Sequence, residues 1–285
     1  MQTARMTGLQ IIGRAVVDVA RNYRTALRIS VPWAVPVVIF YAVQALIPTA
    51  SLDLMMLRLP FWIAGLLGVM AYVMVSMTAI AIAWHRFILK DEVPNSLFPI
   101  SSTWQIGRYI FTALGITWTL CLTMVPFLFL ALALFRKTSM VSTNGEINWF
   151  LAVYYLVSVI TISFMFFRLC VMLPAVALQD RKPYTKAKSN PYTFDWAWDA
   201  TQPFSSQLFL ISAFTALITF AFQYTVSFVL PQYAVLTGAE MLYVGLAAAA
   251  VCNWCWFMLH LSLLTTLYDF VFQKDDQSSG SSRSV

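Results

Sequence analysis

Six long apolar stretches constrain the fold of this chain more than any other feature of its sequence. They contain no Asp, Glu, Lys or Arg, apart from Asp269 near the end of the last stretch. Each reaches or nearly reaches the ~20 residues that a helix needs to cross a bilayer core of ~30 Å. The six predicted spans are Ser30–Thr49, Phe61–Trp84, Tyr109–Leu134, Trp149–Phe167, Phe204–Leu230 and Met241–Phe270.

The composition argues against a soluble protein. Apolar residues make up 60% of the 285 residues and charged residues 11%, whereas soluble domains carry ~25% charged residues. The mean hydropathy is +0.74. Backbone amides must be paired in hydrocarbon, and the sequence lacks the ~10-residue alternation of a membrane β-barrel. We therefore predict an all-α polytopic membrane protein with six transmembrane helices in residues 30–270.

The distribution of Lys and Arg between alternate loops predicts the orientation. Fourteen of these residues fall on one side of the predicted spans and three on the other, with Arg168 left out of both counts. Because cytoplasmic loops carry the excess of Lys and Arg, we expect both termini in the cytoplasm. The net charge of +6 comes largely from residues beside the spans. It favours contact with anionic lipid headgroups, and we expect no nucleic-acid partner.

The first 29 residues are basic and amphipathic. At helical spacing, apolar side chains between Gly8 and Arg28 form one stripe, and the arginines fall largely off it. This pattern predicts a helix that lies in the membrane interface, apolar side down, and leads into the first span. The stripe consists of Ile11, Ile12, Ala15, Val16, Val19 and Tyr23.

The loop Arg181–Trp198 combines basic with aromatic side chains. Each Lys or Arg near an anionic surface contributes about 1 kcal/mol to membrane binding, and aromatic side chains concentrate at membrane interfaces. We expect the loop to lie on the membrane; a docking surface for a partner is the alternative. The tail, residues 271–285, is polar and Ser-rich and is expected to be disordered. The residues expected to contact lipid or a partner are Arg14, Arg21, Arg24, Arg28, Arg86, Arg168, Arg181, Lys182, Lys186, Lys188, Trp196 and Trp198.

The second, fourth and sixth spans end in similar sequences, which begin at Trp84, Phe167 and His260. Three related helical hairpins would explain this similarity. Chance similarity among apolar helices is the alternative, because low sequence complexity inflates such matches.

Several short motifs resemble those of a known family. They are Ala83-Trp84-His85-Arg86-Phe87-Ile88-Leu89, Phe167-Arg168-Leu169, Leu173-Pro174-Ala175 and Ala197-Trp198-Asp199-Ala200-Thr201. They look like elements of an uncharacterised proteobacterial family of six-span integral membrane proteins. That family is similar in design to the YciC-like proteins and to the membrane domain of some glycerophosphodiester phosphodiesterases. The resemblance implies a bacterial inner-membrane protein and implies no activity, because the family's own function is unestablished. The soluble phosphodiesterase domain has no counterpart in this sequence, so its chemistry does not carry over.

Few residues of the spans are candidates for chemistry. Cys252 and Cys255 form a Cys-x2-Cys pair inside the last span, where we expect ordinary buried cysteines. His85 and His260 would need matching depth on facing helices to hold a haem. Their positions along the spans differ by roughly 7 Å at 1.5 Å per residue, so this assignment has little support.

Arg168 is the most notable ionisable residue in or near the spans. A charge inside a membrane is a candidate functional group. However, Arg168 stands at the end of the fourth predicted span, from which a long side chain can reach the cytoplasmic headgroups. We therefore expect it to contact lipid headgroups, with the span ending near Arg168 and bending along the interface around Pro174.

The sequence contains no glycine-rich phosphate loop and no nucleophile elbow, which are the usual marks of phosphate and hydrolytic chemistry. We therefore predict no catalytic, cofactor-binding or metal-binding residues. The expected function is that of a non-enzymatic accessory or scaffold component, acting through helix packing, lipid and cytoplasmic loops, with a membrane-protein partner or as a homo-oligomer. The alternatives are a small-molecule transporter or channel with a cavity between the hairpins, gated near Arg168, and a haem-bearing redox protein.

Overall fold

The structure, a computed structural model, describes residues 6–46, 52–93, 102–135, 149–178, 193–225 and 239–272. These ranges are almost entirely helical and contain no strand, so the predicted all-α fold class is confirmed. A 3-10 turn at Gln202–Phe204 connects α7 with α8. The helices are α1 Gly8–Arg21, α2 Tyr23–Leu46, α3 Leu52–Lys90, α4 Thr103–Phe135, α5 Trp149–Cys170, α6 Met172–Leu178, α7 Phe194–Thr201, α8 Ser205–Tyr224 and α9 Ala239–Phe272.

Five helical segments in the described residues are long and apolar enough to cross a membrane. The protein is therefore, by the length and composition of its helices, a multi-pass membrane protein. The segments correspond to the second to sixth predicted spans. Their bounds are Ile63–Lys90, Thr103–Ala133, Val153–Leu178, Phe194–Tyr224 and Ala248–Phe272.

The first predicted span, Ser30–Thr49, falls mostly within α2, which is helical as far as Leu46. Residues 47–51 lie outside the described part of the chain, and so do the side chains of residues 35–46. The count of six spans therefore stays a prediction. The basic residues of the 181–188 segment and the tail after residue 272 also lie outside the described residues.

Side-chain caps define where two of the helices begin. Thr7 accepts a hydrogen bond from the Gln10 backbone amide, and the Gln10 side chain accepts one from the Thr7 amide. This capping box satisfies amides that have no partner inside the helix. In the same way, Thr193 accepts from the Trp196 amide at the start of α7. The amphipathic segment before the first span is therefore a well-defined helix, α1.

The fourth span breaks near Val171, between α5 and α6. Pro174 lacks the amide that would bond to the Cys170 carbonyl, and its ring crowds that carbonyl. Every residue of α6 is buried, and α6 packs on α3, α4 and α9. The segment after Arg168 is therefore covered by other helices of the protein. That it runs along the membrane interface stays a prediction.

The core lies at one end of the helices, which we call the packed end. It contains the C-terminal parts of α3, α5 and α9, together with α6 and the N-terminal parts of α2, α4 and α8. The packed end brings together the three similar span ends. His260 of α9 stacks on Phe167 of α5 with ring centroids 6.0 Å apart, and His85 of α3 contacts Thr265 of α9. The threefold repeat itself stays a prediction.

Candidate functional site

Helix α1 packs against α8 and α9 at the packed end. Ile11, Ile12 and Ala15 are buried there, whereas Val16 and Tyr23 of the predicted stripe are exposed. The closest approach is at Gly8, where an added Cβ would lie 2.9 Å from Leu210 Cδ2 and 3.1 Å from the Gln207 carbonyl oxygen of α8. The apolar side of α1 is thus largely covered by protein.

An ion pair joins α1 to the end of α9. Arg14 Nη2 lies 2.8 Å from Asp269 Oδ2, and the Asp269 side chain is 6% exposed while that of Arg14 is 45% exposed. Asp18, one helical turn after Arg14, has an Oδ2 atom that is buried without a hydrogen-bond partner among the described residues. Burial raises the pKa of Asp18 above 3.8; Asp269 raises it further, whereas Arg14 and Arg21 lower it.

His85 is fully buried, and both ring nitrogens have protein partners. Its Nδ1 lies 2.7 Å from Thr265 Oγ1 and its Nε2 lies 3.3 Å from the Tyr109 hydroxyl. The contact places His85 level with Thr265, five residues beyond His260 along α9, a difference of about 7.5 Å. His85 is therefore a link between α3, α4 and α9, and its occupied nitrogens argue against haem ligation.

Side chains from α3 and α4 bind the end of α6. The last carbonyls of a helix lack partners inside it. Here Gln105 Nε2 donates to the Ala177 carbonyl, and Lys90 Nζ donates to the Leu178 carbonyl at 2.9 Å. Arg86 pairs with Glu92 at 2.6 Å and donates to Gln105 Oε1 at 3.4 Å. Arg86 is thus held by protein groups at the edge of the packed end.

Arg168 has a different environment. The residue is 6% exposed, and its guanidinium carbon lies 3.8 Å from the centroid of the Trp198 ring and 5.5 Å from that of Phe164. Its Nε donates to Thr201 Oγ1 at 3.3 Å and its Nη2 to Ser205 Oγ at 3.4 Å. The guanidinium therefore lies beneath Trp198, between α5 and the α7–α8 connection. The expected contact with lipid headgroups stays a prediction.

The other residues expected to contact lipid or a partner divide into three groups. Arg21, Arg24 and Arg28 are exposed, as such contacts require. Trp198 is 38% exposed, whereas Trp196 is buried and stacks on Phe272 with centroids 4.8 Å apart. The four remaining residues, Arg181, Lys182, Lys186 and Lys188, lie outside the described part of the chain.

Cys252 and Cys255 are exposed on the surface of α9, so the expectation that they are buried is wrong. An apolar span has lipid on its outer face, and small apolar side chains are stable there too. Among the described residues, His, Cys, Asp and Glu form no group of three that could hold a metal ion.

Comparisons of the chain with protein-family models, curated proteins and solved structures give no match. The family resemblance of the motifs around Trp84, Arg168 and Trp198 therefore stays a prediction.

Sequence reasoning missed several partners at the packed end. Asp269 and Gln105 carried the clearest signals. Asp269 is the one acidic residue at the end of an uncharged span, and Gln105 is a polar residue just before another span. Such residues need partners when buried, but the sequence does not say which.

Proposed function

We propose that this chain is a non-enzymatic scaffold or accessory protein of the bacterial inner membrane. The observation that carries this proposal is the pairing of buried polar groups at the packed end. Asp269 pairs with Arg14, His85 bonds to Thr265 and Tyr109, and Gln105 bonds to the end of α6. Catalytic sites keep reactive groups available to a substrate, whereas these groups join helices to one another.

The proposed topology has six spans and both termini in the cytoplasm. The described burial supports it: the buried parts are the C-terminal ends of α3, α5 and α9 and the N-terminal ends of α4 and α8, as antiparallel neighbours in one membrane require. These ends also adjoin the basic segments. The packed end is then the cytoplasmic end, in agreement with the positive-inside rule.

Helix α1 is proposed to lie in the cytoplasmic interface, over the ends of α8 and α9. Its buried side faces protein, but its outer side is also partly apolar, with Leu9, Val16 and Val17 exposed. Arg14 and Arg21 are exposed beside them. Exposed apolar and cationic side chains on one helix are typical of helices that contact anionic lipid.

The proposed partner surface is α4. In its most apolar stretch only 6% of the residues are buried inside the protein, compared with 61% in the most apolar stretch of α9. Trp118 and Phe129 are among the large side chains exposed along it. Helix α4 packs on α3, α5 and α6, and the exposed side of its apolar stretch is available to a second membrane protein, or to a second copy of the chain.

Photo-crosslinking in native membranes tests this proposal. A photoreactive phenylalanine analogue replaces the exposed Phe111 or Phe129 of α4, and in the control it replaces the exposed Phe209 of α8. The proposal predicts a protein adduct of defined mass from the two α4 positions and none from Phe209. An adduct of twice the chain mass would identify a homo-oligomer. Lipid adducts alone from all three positions would contradict the scaffold proposal.

A further inference from the structure

We propose that Arg168 binds a phosphate group, from a lipid headgroup or from free phosphate, beneath Trp198. The proposal rests on the membrane location proposed above, because a lipid source requires it. It deepens the expected lipid contact by assigning one defined site and one chemical class of ligand.

Among the described residues, Arg168 has no negatively charged partner. The two hydrogen-bond partners of Arg168 are the neutral hydroxyls of Thr201 and Ser205. Each hydroxyl already donates its own proton to a backbone carbonyl, of Ala197 and Gln202 respectively, at 2.7 Å. They therefore accept from the guanidinium but bring no negative charge. In the part of the chain that the structure describes, no carboxylate lies within 4.0 Å of Arg168.

Two other arginines of the packed end differ from Arg168 in having a negatively charged partner. Arg14 is paired with Asp269 and Arg86 with Glu92, both through carboxylates. Both arginines are more exposed than Arg168. The least exposed of the three is thus the one without a carboxylate partner among the described residues, although a buried charge has the greatest need of one.

The Trp198 ring covers the guanidinium of Arg168. A cation over a tryptophan ring is stabilised, but this offsets only part of the cost of burying the charge. Trp198 is itself 38% exposed, so its side chain lies between the guanidinium and the surface. A change of the Trp198 rotamer would open the site to an anion without moving a helix.

The guanidinium of Arg168 has donor capacity for an anion. A guanidinium presents its N–H groups in a planar fork that matches two oxygens of a phosphate. The hydrogen bonds of Arg168 use Nε, at 3.3 Å, and Nη2, at 3.4 Å, so these are weak bonds. A phosphate at the edge of the fork would form shorter, charge-assisted bonds and supply the missing negative charge.

Binding to the purified, delipidated protein tests the proposal. The probes are dioleoyl phosphatidylglycerol, dioleoyl phosphatidylcholine and inorganic phosphate, with potassium chloride at equal ionic strength. Binding is followed by native mass spectrometry for the lipids and by thermal shift for phosphate. The variants are R168Q, R168K and, as a control for loss of charge, R58Q on the opposite predicted side of the membrane.

We expect R168Q to weaken binding of one probe by about tenfold or more, as the loss of charge-assisted hydrogen bonds implies. R58Q should leave binding within about twofold of the wild type. Loss of phosphatidylglycerol binding identifies a lipid source, and loss of inorganic phosphate binding identifies a soluble one. R168K keeps the charge without the planar fork and should show a smaller loss; it also serves if R168Q does not fold.

The proposal would be overturned if each probe bound equally well to the wild type, to R168K and to any R168Q that folds. A response to phosphate no larger than that to potassium chloride, with binding of both lipids unchanged in R168K and in any folded R168Q, would overturn it as well. Neither result bears on the α4 photo-crosslinking experiment, so failure of the phosphate site and failure of the scaffold proposal are distinguishable.

Discussion

Charged residues at the packed end act chiefly as links between helices. Asp269 lies near the C-terminal end of α9 and forms an ion pair with Arg14 of α1. This ion pair links α1 to the rest of the protein. An aspartate that is almost fully buried depends strongly on such a partner, because an unpaired buried charge costs several kcal/mol. Arg14 is half exposed, so solvent screens the attraction and its net contribution is modest.

A double-mutant cycle measures this ion pair. We expect Arg14→Gln to lower the thermal stability of the protein in detergent, because Asp269 then lacks its charge partner. In the Asp269→Asn background the same change should cost less, with a coupling of about 1 kcal/mol. Additive effects of the two substitutions would show that the pair does not hold α1 in place.

Asp18 makes stability depend on pH in the opposite sense from an ordinary ion pair. Burial raises the pKa of its carboxyl above 3.8, so the folded protein holds this proton more tightly than the unfolded chain. The group therefore weakens the folded state at neutral pH, and the loss is recovered as the pH falls through the raised pKa.

Asp18→Asn should accordingly raise the melting temperature at pH 7. Its advantage over the wild type should be smaller at pH 4 than at pH 7, because the wild-type carboxyl takes up its proton progressively as the pH falls. Asp199→Asn, at an exposed position of α7, is the control for loss of one negative charge. An equal advantage of Asp18→Asn at both pH values would contradict the assignment.

At the scale of the element, the sequence predicted the existence of the long helices well and their environment poorly. Length and hydropathy are enough to identify spans such as Thr103–Ala133. They do not distinguish burial in protein from exposure to lipid, since both environments are apolar. For this reason the burial of α6 among other helices was not predicted, and Cys252 was expected in the core and lies on the surface.

Helix α1 illustrates the same limit. Its amphipathic pattern identified the buried residues Ile11 and Ala15, because helical spacing alone determines which side chains share a face. The pattern did not show that α8 and α9 cover this face. The partners of Asp269 and Arg168 could likewise not be predicted from the sequence, because contacts between distant segments are set by tertiary packing.

Two glycines of α1 provide a matched test of its docking. Gly8→Ala places a methyl group against Leu210 and a backbone carbonyl of α8, and overpacking of this kind costs about 1–3 kcal/mol. Gly13→Ala meets no atom within 4 Å and should gain up to about 1 kcal/mol from helix propensity. Melting temperature and proteolysis of the N-terminal segment measure both effects. Similar behaviour of the two variants would show that α1 is not docked as described.

At the scale of the whole molecule, burial is unevenly distributed. The helices are tightly packed at one end, where α1, α6 and α7 join the spans, while α4 is largely exposed along its length. This asymmetry is what the scaffold proposal requires. The packed end holds the helices together, and the exposed side of α4 is the surface proposed for a neighbour in the membrane.

The proposed topology and the position of α1 depend on the packed end being cytoplasmic, and cysteine accessibility measures this directly. In a chain whose four native cysteines are replaced, Gly13→Cys reports on α1 and Ser142→Cys reports on the connection between the third and fourth predicted spans. A membrane-impermeant maleimide should label Ser142→Cys in intact spheroplasts and Gly13→Cys only in inverted vesicles. Labelling of Gly13→Cys in intact spheroplasts, or of both positions from the same side, would contradict the topology.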